Sequence, residues 1–320
     1  MTTILIGLEK EDISDANLGR IQQIMPEAQI LVSKDPHEIE EVAEDVEIAA
    51  GWPPLEILPI LPNLRWFQQW WAGNDWLMQH PKTAEKDFII TNASGVHATC
   101  ISEQIFSYLL SFARALPAAR RAQDKKEWKA ATGKMVFELA HQTMVIVGLG
   151  DIGLRTARLA LAFEMRVMGV DRNSLAFWPG VEKVVTPAHI GDVLPQADFV
   201  VVTLPHTRES EGIIGQAEFE QMKPGAYFVN IGRGKTVNET ALIKALRSGK
   251  IAGAGLDVFE TEPLPADSPL WEMENVIITA HYAGATPIYR DRIMAIFLEN
   301  LRRFQAGERL HNMVDKRLGF

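Results

Sequence analysis

The sequence predicts an α/β protein with two parallel sheets, each flanked by helices, and three observations support this class. Short runs of β-branched and other apolar residues alternate with segments of helical spacing along most of the 320-residue chain. These runs fall into two series that one long helical region separates. The composition, with 47% apolar and 23% charged residues, is that of an ordinary globular protein long enough for two domains.

The first series of predicted strands precedes residue 97. Its runs are Ile4 to Gly7, Ile30 to Val32, Val46 to Ala50 and Phe88 to Thr91. The region from His97 to about Lys126 then has helical spacing. Pro117 should interrupt or kink this helix, because proline lacks the amide hydrogen that an inner helical turn needs.

The second series contains about six predicted strands. They are Met144 to Val147, Arg166 to Val170, Phe199 to Leu204, Tyr227 to Ile231, Gly253 to Asp257 and Val276 to Thr279. A last helical segment, Pro287 to Gln305, should end at Gly307. About six parallel strands are the number that a complete doubly wound sheet contains.

A glycine motif, VIVGLGDIG at residues 145–153, joins the first strand of this series to a helix. Gly148 permits a tight turn, Gly150 lets the backbone approach a pyrophosphate, and Gly153 lets helix and strand pack closely. The next strand ends at Asp171, eighteen residues after Gly153, close to where an acid accepts the ribose hydroxyls. In this context the motif predicts a Rossmann domain that binds a dinucleotide.

Two neighbouring residues bear on the choice of cofactor. Asp171 favours NAD(H), because its carboxylate would repel the 2′-phosphate of NADP(H). Arg172 is the type of residue that accommodates this phosphate, so NADP(H) stays possible.

Three later segments each place one reactive side chain near the end of a predicted strand: VNIGRGKTVNE, GLDVFETEPLP and IITAHYAGAT. Arg233, Glu262 and His281 should converge, because the carboxyl ends of parallel strands line one crevice. An arginine can clamp a carboxylate, a histidine can exchange a proton near neutral pH, and a carboxylate can orient that histidine. A structural ion pair between Arg233 and Glu262 is the alternative interpretation.

The chain resembles the D-isomer-specific 2-hydroxyacid dehydrogenase family, through GLGDIG, NIGRG, LDVFETEP and the segment around His281. The resemblance extends over most of the chain. GWPPLEIL, RWFQQWWAGNDWL, PLPADSPLWEMENVIIT and TPIYRDR further resemble the branch of glyoxylate and hydroxypyruvate reductases. Ala280 departs from the family, which commonly has proline before the histidine.

The resemblance implies a fold, a reaction and roles for residues. A Rossmann nucleotide domain (98–287) should be inserted into a flavodoxin-like substrate domain (1–97 plus 288–320). Hydride should pass from NAD(P)H to a small 2-oxo acid to give a D-2-hydroxy acid. Arg233 would bind the substrate, His281 would be the acid/base and Glu262 would hold His281.

The resemblance also implies binding residues. Besides the three glycines, Asp171 and Arg172, the expected cofactor contacts are Asp151, Ile152, Leu204, Pro205, His206, Ile231, Gly232, Asp257 and Gly284. The expected substrate contacts, besides Arg233, are the backbone amides of Ala72 and Gly73, and Trp52 in GWPP. The family forms homodimers chiefly through its nucleotide domain, so we expect a homodimer.

Charge and cysteine content limit the other partners. The formal charge of −9 disfavours nucleic acid, whose phosphates need a basic surface. The single Cys100 rules out an intramolecular disulfide and a protein-only cysteine metal site, and we expect no metal. We find neither a signal peptide nor a membrane span, and therefore expect a cytoplasmic protein.

Several alternatives stay open. The same fold also serves as a corepressor that senses NAD(H), although Arg233, Glu262 and His281 are all retained here. A formate dehydrogenase of this fold would have glutamine in place of Glu262. The tryptophans at 66, 70, 71 and 76 form either a pocket wall or core and interface packing.

Overall fold

The computed structural model describes residues 2–129, 131–133, 135–176 and 178–317. The chain folds into two units, Met1–Val96 with Thr286–Phe320, and His97–Ala285. Each unit is an α/β structure with a wholly parallel sheet, which confirms the predicted fold class.

The strands and helices are numbered through the whole chain. The strands are β1 (Thr3–Gly7), β2 (Gln29–Val32), β3 (Val46–Gly51), β4 (Trp66–Gln69), β5 (Ile89–Thr91), β6 (Thr143–Val147), β7 (Arg166–Val170), β8 (Lys183–Val185), β9 (Phe199–Val202), β10 (Ala226–Asn230), β11 (Ile251–Leu256) and β12 (Val276–Ile278). The α-helices are α1 (Asp15–Ile24), α2 (Pro36–Glu40), α3 (Pro81–Glu85), α4 (Ala98–Ala113), α5 (Leu116–Asp124), α6 (Asp151–Ala162), α7 (Gln216–Gln221), α8 (Glu239–Arg247) and α9 (Tyr289–Ala306).

The first unit contains a five-stranded sheet in the order β2-β1-β3-β4-β5. This is the flavodoxin-like order, in which the direction of winding reverses between β1 and β3. Strands β1 and β4 are buried along their whole length, as expected for a parallel sheet covered on both faces. Helix α9 packs on this sheet and ends where Gly307 takes a left-handed conformation with φ of +69°.

Most of the tryptophan cluster lies in the core of the first unit. The Trp66 ring is fully buried and lies 5.5 Å from the rings of both Phe297 and Phe304 on α9. Trp70 and Trp76 are also buried, whereas Trp71 is half-buried. Core packing therefore accounts for Trp66, Trp70 and Trp76.

The second unit contains a seven-stranded sheet in the order β12-β11-β10-β9-β6-β7-β8. Six of these strands reproduce the Rossmann order, and the direction of winding reverses between β6 and β9. At such a reversal the carboxyl ends of the strands leave a crevice, and the glycine motif follows β6.

The structure adds two strands that the sequence patterns did not indicate. Strand β4 carries two glutamines, which broke the apolar pattern, yet both are fully buried and hydrogen-bonded. Strand β8 has only three residues and lies at the edge of its sheet. Such short edge strands leave little periodicity to detect.

The long helical region after residue 97 is two helices. Helix α4 ends at Ala113, and Ala115 takes a left-handed conformation with φ of +53° before α5 begins at Leu116. Pro117 therefore lies in the first turn of α5, where its missing amide hydrogen costs nothing. Within the described residues, no helix is both long and apolar enough to cross a membrane.

Candidate active site

The turn after β6 has the geometry of a dinucleotide cradle. Gly148 has φ of +103°, a backbone conformation that residues with a Cβ rarely adopt. A Cβ on Gly153 would lie 2.0 Å from the Gly148 carbonyl oxygen, so only glycine permits this approach. A Cβ on Gly150 would meet no atom within 4 Å, which leaves open space beside the first turn of α6. These residues therefore fit a dinucleotide whose diphosphate binds at a helix N-terminus.

Asp171 lies directly after β7 and faces this turn. Its Oδ2 accepts a hydrogen bond of 2.9 Å from the Leu149 amide, and its Oδ1 accepts one of 2.9 Å from the Asn173 amide. Arg172 follows, with Nη1 at 3.0 Å from Glu209 Oε2. The carboxylate of Asp171 is thus oriented by backbone donors at the place where a ribose is expected.

A tight turn after β9 carries the next predicted cofactor residues, Leu204, Pro205 and His206. The Ser210 hydroxyl donates to the Pro205 carbonyl oxygen at 2.6 Å and accepts from the Thr207 amide at 2.8 Å. His206 Nε2 lies 3.5 Å from Glu211 Oε2, and the histidine side chain is only 12% exposed. The buried hydroxyl of Ser210 therefore fixes the shape of this turn.

Glycines on both sides of Arg233 let the loop after β10 approach its neighbours. A Cβ on Gly232 would lie 2.4 Å from the Leu204 carbonyl oxygen, and one on Gly234 only 1.8 Å from that of Phe259. The Arg233 carbonyl oxygen accepts hydrogen bonds from Asn230 Nδ2 and Thr236 Oγ1. The guanidinium of Arg233 donates from Nη1 to the Gly232 carbonyl oxygen. The loops after β9, β10 and β11 thus lie against one another.

Glu262 and His281 form the pair that the sequence predicts. Glu262 Oε2 lies 2.6 Å from His281 Nδ1, and Glu262 Oε1 accepts a 3.0 Å hydrogen bond from the Phe259 amide. The glutamate is thereby anchored to the loop that packs on Gly234. With Nδ1 engaged, Nε2 is the ring nitrogen left for a substrate, and about half of the imidazole is exposed.

Asp257 holds the loop that carries His281. This residue is buried, and its carboxylate accepts hydrogen bonds from Thr279 Oγ1 and from the amides of Tyr282 and Ala283. The His281 amide donates to the Asp257 carbonyl oxygen at 2.9 Å. The position of His281 is therefore fixed from both sides by one residue of the neighbouring loop.

Tyr108 on α4 extends this network. Its hydroxyl is hydrogen-bonded to Thr279 Oγ1. Burial raises the pKa of Tyr108 to about 12, an effect that the hydrogen bond with Thr279 partly opposes, so the phenol stays neutral over the ordinary pH range. The same ring lies so close to β11 that a Cβ on Gly255 would come within 2.5 Å of it.

In the first unit, a buried amide network shapes the loop Trp71-Ala72-Gly73-Asn74. Gln69 Nε2 donates to the carbonyl oxygens of Trp71 (2.9 Å) and Gly73 (2.8 Å) and to Asn74 Oδ1. Asn92 Nδ2 donates to the Ala72 carbonyl oxygen at 3.0 Å. Three successive carbonyl oxygens thus turn towards the buried amides, which favours outward-facing amide hydrogens in the loop.

The remaining predicted positions lie after β3, after β10, after β12 and in the first turn of α6. Trp52 is 36% exposed, and its ring lies 5.6 Å from that of Trp70. The Gly284 carbonyl oxygen lies 2.9 Å from His97 Nδ1 in the second unit. Ile231 is buried directly after β10, and Asp151 and Ile152 begin α6.

The structure thus places Arg233, Glu262 and His281 on the loops after the neighbouring strands β10, β11 and β12, at the same edge of the sheet as the glycine turn. Sequence patterns did not identify the supporting polar residues, which are Gln69, Asn92, Tyr108, Asn230 and Thr279. The sequence feature that could have identified these residues is their position, since each is a polar residue within or just beyond an apolar run. No group of three or more metal-ligating side chains is found among the residues that the structure describes.

Comparison with known proteins agrees with this architecture. The model of the D-isomer specific 2-hydroxyacid dehydrogenase NAD binding domain matches residues 106–283. The glyoxylate reductase of Korarchaeum cryptofilum is 36% identical over 82% of this chain and 79% of its own length.

Two solved structures are similar over 100% of both chains. The D-isomer specific 2-hydroxyacid dehydrogenase of Xanthobacter autotrophicus Py2, in complex with NADPH and MES, has a TM-score of 0.86 at 31% identity. The NADPH-dependent glyoxylate/hydroxypyruvate reductase of Sinorhizobium meliloti, in complex with NADP and sulfate, has a TM-score of 0.84 at 27% identity. With its glycine cradle, two parallel sheets and a matched region of more than half its length, the chain belongs to the D-isomer specific 2-hydroxyacid dehydrogenase family, as an NAD(P)-binding oxidoreductase.

Proposed function

We propose that this protein reduces a small 2-oxo acid to the D-2-hydroxy acid, with glyoxylate and hydroxypyruvate as its foremost substrates. One observation carries the proposal. The Glu262–His281 pair, with 2.6 Å between Oε2 and Nδ1, joins the loop after β12 to the loop after β11, and the latter packs against the Arg233 loop. The relatives named as reductases of glyoxylate and hydroxypyruvate support the choice of substrates.

In the proposed mechanism His281 is the proton donor. A bound reduced nicotinamide supplies the hydride that the carbonyl carbon accepts. His281 Nε2 delivers a proton to the carbonyl oxygen, so that a C–H and an O–H bond replace the carbonyl π bond. Glu262 keeps the ring in place through Nδ1, so that Nε2 faces the carbonyl oxygen that accepts the proton.

Arg233 binds the carboxylate of the substrate. Its guanidinium is already oriented by the bond from Nη1 to the Gly232 carbonyl oxygen, so few rotamers are lost on binding. The loop amides of Ala72 and Gly73, and the ring of Trp52, are further substrate contacts that the family resemblance implies. The inward-turned carbonyl oxygens of that loop support the first of these assignments.

We further propose that NAD(H) is preferred to NADP(H). The support is the carboxylate of Asp171, which backbone amides orient where a ribose is expected. The other proposed cofactor contacts are those that the family resemblance implies. Among them, Gly148, Gly150 and Gly153 have the most direct structural support, because their turn has the geometry of a dinucleotide cradle. The protein is proposed to act as a cytoplasmic homodimer.

The test is a spectrophotometric assay with NADH and NADPH separately, against glyoxylate, hydroxypyruvate, pyruvate and phenylpyruvate. We expect turnover of the first two acids, more efficient use of NADH, and D-glycerate as the product of hydroxypyruvate by chiral chromatography. If the protein binds either cofactor and reduces none of these acids, the proposal fails, and a cofactor-sensing role becomes the better explanation.

A further inference from the structure

Strand β7 is followed directly by two charged residues of opposite sign, Asp171 and Arg172. Asp171 is engaged by the backbone amides of Leu149 and Asn173. The guanidinium of Arg172 instead lies 3.0 Å from the carboxylate of Glu209, which belongs to the turn after β9. The residue type that would accommodate a 2′-phosphate is thus already paired with an anion.

The position of Glu209 does not depend on this ion pair. The adjacent Ser210 and nearby Thr207 are both buried, and each accepts a hydrogen bond from the amide of the other. The Glu211 amide also donates to the Thr207 carbonyl oxygen. This compact turn holds the Glu209 backbone in place, although its side chain is 67% exposed.

We propose that Glu209 is a specificity-determining residue, which disfavours NADP(H) by pairing with Arg172 and by adding a negative charge beside the ribose site. The proposal rests on the dinucleotide site of the proposed function. Asp171 favours NAD(H), whereas Arg172 is of the type that accommodates NADP(H). The pairing with Glu209 resolves this disagreement, because it balances the positive charge of Arg172.

The charges of the three side chains decide the sign of the effect. Asp171, Arg172 and Glu209 together carry a formal charge of −1, which repels a 2′-phosphate. Without the Glu209 charge the sum is zero, and the donors that Arg172 directs at Glu209 become available to the phosphate. A 2′-hydroxyl carries no charge, so the binding of an unphosphorylated ribose should hardly change.

The experiment measures calorimetric binding of two nucleotide fragments, 5′-AMP and adenosine 2′,5′-bisphosphate. For Glu209→Gln we expect the affinity for the bisphosphate to rise about fivefold relative to that for AMP, as the removal of one repulsive charge at close range implies. Arg172→Gln should abolish this gain when it is combined with Glu209→Gln. The gain should also shrink in 0.5 M salt, at roughly a 4 Å Debye length.

A matched control lies at the other end of the same strand. Glu182 forms a similarly exposed ion pair with Arg166, the first residue of β7, with 2.8 Å between Oε2 and Nη2. Glu182→Gln changes the net charge by the same amount and should leave the ratio of the two affinities unchanged. A rise in that ratio for this control would show a general charge effect and overturn the assignment to Glu209.

Other outcomes are equally decisive. If Glu209→Gln alters both affinities alike, or neither, the inference is wrong even though the reductase proposal stands. If the ratio shifts as expected in a protein that reduces no 2-oxo acid, the inference holds and the proposed reaction fails. If wild-type protein binds neither fragment, the dinucleotide site itself is contradicted and both proposals fall.

Discussion

At the scale of single residues, sequence motifs mark the proposed reacting groups, whereas the residues that support them carry no such mark. Arg233, Glu262 and His281 stand in motifs whose glycines and prolines mark them in the sequence. Asp257 was predicted as a cofactor contact, and that role stays a prediction. Its hydrogen bonds to the His281 loop depend on the register between β11 and β12, which no pattern within one segment encodes.

The first prediction concerns the orientation of His281. Glu262→Gln keeps an acceptor for His281 Nδ1 but removes the charge, so kcat for glyoxylate should fall about tenfold, the loss of roughly one charge-assisted hydrogen bond. Glu262→Ala removes the acceptor too and should lower kcat further. Steady-state kinetics at saturating cofactor measure both. A wild-type kcat in Glu262→Ala would show that the pair is only structural.

The second prediction concerns the buried amide of Gln69. Gln69→Glu removes the donor to the carbonyl oxygens of Trp71 and Gly73, and each unmade buried hydrogen bond costs about 1–3 kcal/mol. Thermal unfolding should therefore show a clearly lower midpoint. Gln196→Glu is the matched control, because Gln196 is exposed and also donates to a carbonyl oxygen. Equal midpoints for the two variants would contradict the importance of the network.

At the scale of elements, long apolar segments were predicted well and short or mixed ones were not. Both sheets and the helices that flank the glycine turn follow from hydrophobic periodicity. Strand β4 was missed because its two glutamines break the apolar pattern. They are buried only because distant residues satisfy them, as in the hydrogen bond from Gln68 Nε2 to the Asn92 carbonyl oxygen. Pro117 predicts the break between α4 and α5, which occurs two residues earlier, at the left-handed Ala115.

The contact of α4 with the loop after β12 leads to a prediction about alkaline pH. Burial raises the pKa of Tyr108 to about 12, whereas an unfolded tyrosine titrates near 10. A raised folded-state pKa means that the neutral phenol contributes stability fully below about pH 10 and loses it as the pH rises towards 12. Over this pH range the free energy of unfolding should therefore fall by about 1.4 kcal/mol per pH unit less in Tyr108→Phe than in the wild-type protein.

Denaturant unfolding between these pH values measures the effect. Tyr282→Phe serves as the control for the loss of a hydroxyl group, since Tyr282 is 54% exposed. Tyr227 and Tyr289 also have pKa values raised by burial, so part of the decline should persist in Tyr108→Phe. An unchanged slope in Tyr108→Phe would refute the neutral, buried phenol.

At the scale of the whole molecule, the family and the fold class were predictable because the motifs occur in a fixed order along the chain. The order of the strands confirms the two doubly wound sheets. The proposed choice among 2-oxo acids was not predictable in the same way, because the surroundings of the proposed substrate contact Trp52, such as the ring of Trp70, arise only in the folded chain.

The assembly is open to a direct prediction. Light scattering after size exclusion should give twice the 35.7 kDa mass of the chain, as the family resemblance implies. Exposed apolar side chains in the second unit, including Leu116 and Trp128, are consistent with a surface that a second copy covers. Leu116→Glu should weaken the dimer if this surface is used. A monomeric mass for the wild-type protein at micromolar concentration would contradict the prediction.

The central claim is that His281 donates the proton in the reduction of a 2-oxo acid. The most direct measurement compares kcat of the wild-type protein and His281→Ala in the oxidation of NADH by glyoxylate, with calorimetric NADH binding as a control for folding. We predict unchanged cofactor binding and a kcat lower by about 10²- to 10⁴-fold, the usual contribution of a positioned acid. A variant that binds NADH and turns over at nearly the wild-type rate would contradict the mechanism.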